Sequence, residues 1–139
     1  MTVSERVAVS ERVNMSEVPI KYPQRRKMMS HERLDVYQVS IKFLALARQI
    51  INELPRGNAD LADHLRRASR AVPLLIAEGA GKRTAGHKAR FYADARGESF
   101  ECAACLDVLR EDGLLEEEEF VRGKVLLERQ VAMLTRLCR

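Results

Sequence analysis

The sequence predicts an all-α protein folded as an up-down-up-down antiparallel four-helix bundle. Three observations predict it. Apolar residues recur at steps of three and four between Leu34 and Leu137, the spacing of a helix face. That pattern breaks at Pro55-Arg56-Gly57, at Gly79-Ala80-Gly81 and at Asp112-Gly113, which leaves four segments. The connections are short, so successive helices are antiparallel neighbours. Composition fits this architecture. Of 139 residues, 46% are hydrophobic and 32% charged, enough for one core and long amphipathic faces. With 3 Tyr, 4 Phe and no Trp the core must be aliphatic, and 7 Gly with 4 Pro are too few for a strand-and-turn sandwich.

Residues 1–33 read as a disordered or weakly ordered N-terminal tail ahead of a four-helix bundle over 34–139. Val3-Ser4-Glu5-Arg6-Val7 recurs as Val9-Ser10-Glu11-Arg12-Val13, too brief for a repeat fold. Pro19 and Pro23 interrupt any helix, and Arg25-Arg26-Lys27 is a short basic run. The first helix starts near Leu34. Val36, Val39, Phe43, Leu46 and Ile50 share one face, widened by Tyr37, Ile41, Leu44 and Ile51. It ends near Leu54, because the residue before proline avoids helical geometry. Asn58 then caps a second helix over about 59–78, with Leu61, Leu65, Ala68, Val72, Leu75 and Ile76 inward. Pro73 lies inside it and predicts a kink rather than a break, since the apolar spacing continues past it.

Thr84 caps a third helix reaching about Asp112, with Phe91, Ala95, Cys102, Leu106 and Leu109 inward. Gly97 interrupts this helix and predicts a close backbone approach. The fourth helix runs from about Glu116 to Leu137. Glu116 to Glu119 fall on its first turn, where the helix dipole favours negative charge. Phe120, Val125, Leu126, Met133, Leu134 and Leu137 supply its buried face.

The second and third helices carry Leu65-Arg66-Arg67-Ala68, Val72-Pro73, Ile76-Ala77-Glu78-Gly79, then Arg83, Phe91, Ala95, Gly97 and Glu101. This pattern resembles the four-helix-bundle family of proteins encoded within 23S ribosomal RNA intervening sequences. That family is related to the accessory variability determinant of diversity-generating retroelements. The resemblance spans about residues 34–137. It implies a small cytoplasmic bundle that assembles as a homopentameric ring. It also implies RNA or DNA as a partner, and a reverse transcriptase as a protein partner. Pro73, Glu78, Gly79, Gly97 and Glu101 are the structural positions of the motif. The chain departs from the pattern at His64, Ala71, Leu74 and Leu75, where the family has Gln, Ser, a small polar residue and Asn. A polar cluster has become apolar there, which suits a contact between protomers.

No catalytic residue, metal ligand or cofactor is expected. Cys102-Ala103-Ala104-Cys105 has the C-x-x-C spacing but sits deep in a helix, away from the N-terminus that would lower a thiol pKa. A zinc site lacks its second ligand pair, so both cysteines read as packing residues. Cys138 reads as an exposed thiol. Gly79-Ala80-Gly81-Lys82-Arg83-Thr84 follows a helix, not a strand, and lacks the first glycine of a phosphate loop. The free N–H groups of the third helix, beside Lys82 and Arg83, could still hold a phosphate. His31, His64 and His87 have no partner at a triad or metal spacing. Glu78 is expected to pair with Arg67 or Arg83, against the unfavourable dipole of a helix C-terminus. Three Cys without a secretion signal point to reduced thiols in the cytoplasm, and no apolar run approaches a membrane span.

The formal charge of +4 hides a segregation. The tail carries +3. Residues 66–96 hold eight Lys and Arg against two acids, residues 98–119 hold nine acids against Arg110 alone, and residues 120–139 return to +4. One end of the bundle should be basic and the other acidic. Arg66, Arg67, Arg70, Lys82, Arg83 and Arg90 are the candidate nucleic-acid contacts. Unlike ends also suit a heterologous ring contact, so a purely structural protein–protein interaction module is the competing reading. No aromatic side chains are expected to interleave with these basic residues, which disfavours single-strand recognition by base stacking.

Overall fold

Four helices form an antiparallel bundle: α1 (Asp35–Glu53), α2 (Ala59–Ala80), α3 (Ala85–Glu111) and α4 (Glu117–Leu137). The structure is a computed structural model, and it describes residues 27–139. A 3-10 turn, Ser30–Arg33, precedes α1 and packs on α1 and α2. The tail repeat and most of its basic run lie outside the described residues.

Each helix packs on two others. α1 touches α2 and α4, and α3 touches the same two from the opposite side. Two apolar clusters stack along the bundle. One joins Phe43, Leu46, Ile50, Leu65, Leu106, Leu109 and Leu127 with Cys102 and Cys105. The other joins Val36, Val72, Ile76, Tyr92, Ala95 and Leu134. Full burial of each large aliphatic side chain contributes about 1.5–3 kcal/mol. Each helix also buries one polar residue: Ser40, Ser69, Ser99 and Gln130. Gln130 donates from Nε2 to Ser99 Oγ at 2.7 Å, and Ser99 donates to the Ala95 carbonyl at 2.8 Å.

The helix boundaries agree with the periodicity to within about two residues, and several side chains depart from it. In α4 the inward line is Gly123, Leu127, Gln130 and Leu134, stepping by four, three and four. Val125 lies off that line and is 50% exposed. Ile41 falls at the edge of the α1 stripe and is 38% exposed. In α3 it is Tyr92 that is buried, while Phe91 is half-buried. Asn58 takes the N-cap position of α2, but its side chain makes no cap hydrogen bond; its Nδ2 donates back to the Pro55 carbonyl at 3.0 Å. Thr84 does cap α3, accepting from the His87 N–H at 3.2 Å. α2 continues through Pro73 as one helix.

The close approaches fall at other glycines than Gly97. A methyl group on Gly97 would meet nothing within 4 Å, because that position faces outward. On Gly123 it would sit 2.5 Å from Leu106 Cδ1, and on Gly79 2.9 Å from the Tyr92 ring. Gly123 lets α4 settle against α3, and Gly79 does the same for α2.

Candidate functional site

The antiparallel topology brings the start of α1, the end of α2, the start of α3 and the end of α4 to one end of the bundle. The groove lined by Leu34, Asp35, Met133, Arg136 and Leu137 shows the first and last of these side by side. That end gathers Lys82, Arg83 and Arg90 from the α2–α3 region, Arg136 and Arg139 from the chain's end, and Arg33 from the 3-10 turn. Separate basic stretches of sequence thus become one basic end. Lys82, His87, Arg90, Phe91 and Asp94 line a shallow groove of about 250 Å³ there. Lys82 Nζ sits 5.0 Å from the centroid of the Phe91 ring, so this half-buried aromatic is covered. Lys88 is committed to structure, since its Nζ donates to the Ala80 carbonyl at 2.8 Å and satisfies the end of α2.

The opposite end carries Glu53, Glu111, Asp112 and Glu116 to Glu119. Burial, then the neighbouring Glu53, raises the Glu119 carboxyl above its ordinary value. Arg110 answers within this group, donating to Glu117 at 3.1 Å while its guanidinium lies 4.3 Å from the Phe120 ring centroid.

The other three nominated arginines lie on the flanks. Arg66 and Arg70 turn toward α1 and line a cleft with Arg48. Arg67 turns the other way, toward α3. Its Nη2 donates to Glu101 Oε1 at 3.1 Å, and His64 Nδ1 lies 3.2 Å from the same oxygen. Glu78 therefore gains no partner from Arg67, and among the described residues it makes no ion pair. His64 does have a carboxylate partner, 37 positions away in sequence, which no local spacing reveals. The hydrogen bond from His64 is the largest influence holding the Glu101 carboxyl below its ordinary value. Burial, then Glu101, pushes Glu98 the other way, and among the described residues Glu98 Oε2 has no hydrogen-bond partner. This cluster is an ion-pair link between α2 and α3. Arg48 was not legible as a site residue, because it belongs to no basic run on α1 and only the packing of α2 gives it company.

Cys102 and Cys105 are buried and unpaired in the core, and burial raises both thiols. Cys138 is half-buried rather than exposed: it packs beneath the second cluster, its thiol 3.7 Å from the Thr135 carbonyl. Among the described residues no His, Cys, Asp and Glu group is arranged to hold a metal ion. No helix among them is long and apolar enough to cross a membrane.

Apolar surface remains on both flanks of α4. Val121, Val125 and Leu126 line a groove of about 530 Å³ against α1. Phe100, Ala104, Val131 and Ala132 line another of about 480 Å³ between α3 and α4. Leu74, at one of the positions where the chain departs from the family pattern, is 69% exposed.

The family described as 23S rRNA-intervening sequence protein matches residues 32–136. The chain belongs to this family. The match covers all four helices, including the Arg66–Arg67 run, Pro73, Glu78, Gly79 and Glu101. No curated protein is similar enough to match. Within this 23S rRNA-intervening sequence protein the motif positions take distinct parts. Pro73 and Gly79 pack, and Glu101 links two helices. Gly97 and Glu78 face outward, and among the described residues the Glu78 carboxylate makes no ion pair.

Proposed function

We propose that this intervening-sequence protein is a non-enzymatic, oligomeric scaffold or accessory protein of the cytoplasm whose basic end binds nucleic acid. The convergence of Lys82, Arg83, Arg90, Arg136 and Arg33 on one end carries this reading. A polyanion held there exchanges condensed counterions for lysine and arginine, so affinity falls steeply with salt. Contacts run to the phosphate backbone rather than to bases, because the one aromatic in the groove is covered by Lys82.

The test is a Lys82→Glu/Arg83→Glu/Arg90→Glu variant, titrated against labelled RNA and DNA over a salt series. It should lose most binding, and the slope of log affinity against log salt should flatten by about 2 for a single strand. Unchanged binding would reject the basic end as the interface.

A second reading, a purely structural protein–protein module, is favoured by the apolar grooves beside α4. These grooves are where protomers would meet, with five copies the number implied by family resemblance. A module without a nucleic-acid role would bind neither RNA nor DNA at about 50 mM salt. A reverse transcriptase partner belongs to the same proposal, and co-purification of the two proteins tests it.

A further inference from the structure

We propose that the cleft between α1 and α2 is a phosphate-binding site distinct from the basic end. Arg48 and Asn52 reach it from α1, and Arg66 and Arg70 from α2. Among the described residues no carboxylate lines it. Asp63 engages Arg66 from outside the cleft, through one nitrogen at 2.7 Å. Arg48 and Arg70 make no ion pair among the described residues. Three guanidinium groups on two facing helices repel one another, and an anion between them reverses the sign of that interaction.

The shape of the donor set selects the anion. A planar carboxylate is satisfied by one arginine fork. Phosphate spreads its acceptor oxygens tetrahedrally, and so takes donors arriving from two helices at once. Asn52 adds an uncharged N–H donor. The apolar wall of Leu44 and Ile51 excludes water from one side, which strengthens the charge interaction. The volume of about 360 Å³ admits a phosphate with an attached sugar. Arg70 stands ten residues before the end of α2, roughly 15 Å from the basic end at 1.5 Å per residue. A strand crossing that distance needs about four to five nucleotides. A polyanion fixed at the end therefore reaches this flank, and the cleft holds a phosphate further along the same strand.

The identification of the phosphate as one of a nucleic acid rests on the function proposed above; the affinity for phosphate does not. The experiment uses the full chain, an Arg48→Ala/Arg70→Ala variant and the basic-end variant. Both cleft side chains are exposed, and unchanged circular dichroism verifies the fold. Thermal unfolding is followed with and without about 10 mM inorganic phosphate. Binding to a labelled RNA of about 20 nucleotides is followed over a salt series. Phosphate should raise the melting temperature of the wild type and the basic-end variant but not of the cleft variant. The cleft variant's salt slope should flatten by about 1.4, two contacts' worth on a single strand. If phosphate behaves so while RNA does not bind, or binds with an unchanged slope, the cleft takes a free phosphate ligand and only its link to nucleic acid fails. If phosphate stabilises all three proteins equally, or none, the site is overturned. Loss of oligomer mass in the cleft variant without either phosphate effect overturns it too, and makes the cleft a protomer contact.

Discussion

Glu98 and Glu101 are one helical turn apart and titrate in opposite directions. Glu101 is held charged by His64 and Arg67, so its contribution to stability is present above the ordinary carboxylate pKa and is lost as pH falls below it. Glu98 is raised, chiefly by burial, so ionising it opposes the fold and stability drains away as pH rises through its folded value. Glutamine mimics the protonated acid. Glu98→Gln should therefore melt with the wild type near pH 4 and above it at pH 7 (ordinary Glu titrates at about 4.3). A melting difference independent of pH would show that Glu98 is not strained by its charge. Little of this pair was legible beforehand. The motif marked Glu101 as a position, but its partners arrive from another helix. Burial of Gln130 was equally hidden, since glutamine reads as surface until Ser99 is seen to accept from it.

At the scale of the helix, periodicity was a reliable guide where one face is apolar and the other charged, as along α1 and α2. It was least informative for α3, whose apolar residues surround the axis. Tyr92, Ala95 and Leu106 face the core, while Phe100 and Val108 face outward. A helix apolar on two sides has no single phase to read. Glycine shows the same ambiguity, because a gap in the sequence does not say whether anything fills it. Gly97→Ala should stabilise the bundle by up to about 1 kcal/mol, since alanine favours helix and open space surrounds the site. Gly123→Val should destabilise it by about 1–3 kcal/mol, since its branched side chain meets the buried Leu106. Chemical denaturation of both variants checks the pair, and reversed signs would place the tight helix contact at the wrong glycine.

Across the whole molecule, two kinds of surface divide the work: charge at the ends and apolar grooves along α4. If the grooves join protomers, Val125→Asp should reduce the mass seen by light scattering to that of one chain while leaving helicity intact. An unchanged mass would move the contact elsewhere. The charge pattern along the sequence was informative here, because helices in alternating directions sort their termini into two groups. What it could not show was that Arg136 and Arg139 reinforce the same end as the α2–α3 turn, nor that Arg66 and Arg70 leave that end for a flank. The 27 residues of α3 span about 40 Å. Charges in physiological salt are screened over about 8 Å. The two ends are therefore several screening lengths apart and electrically deaf to each other. Neutralising the basic end leaves the potential at Glu116–Glu119 unchanged, so a molecule saturated with polyanion still presents an undiminished acidic pole to whatever approaches next.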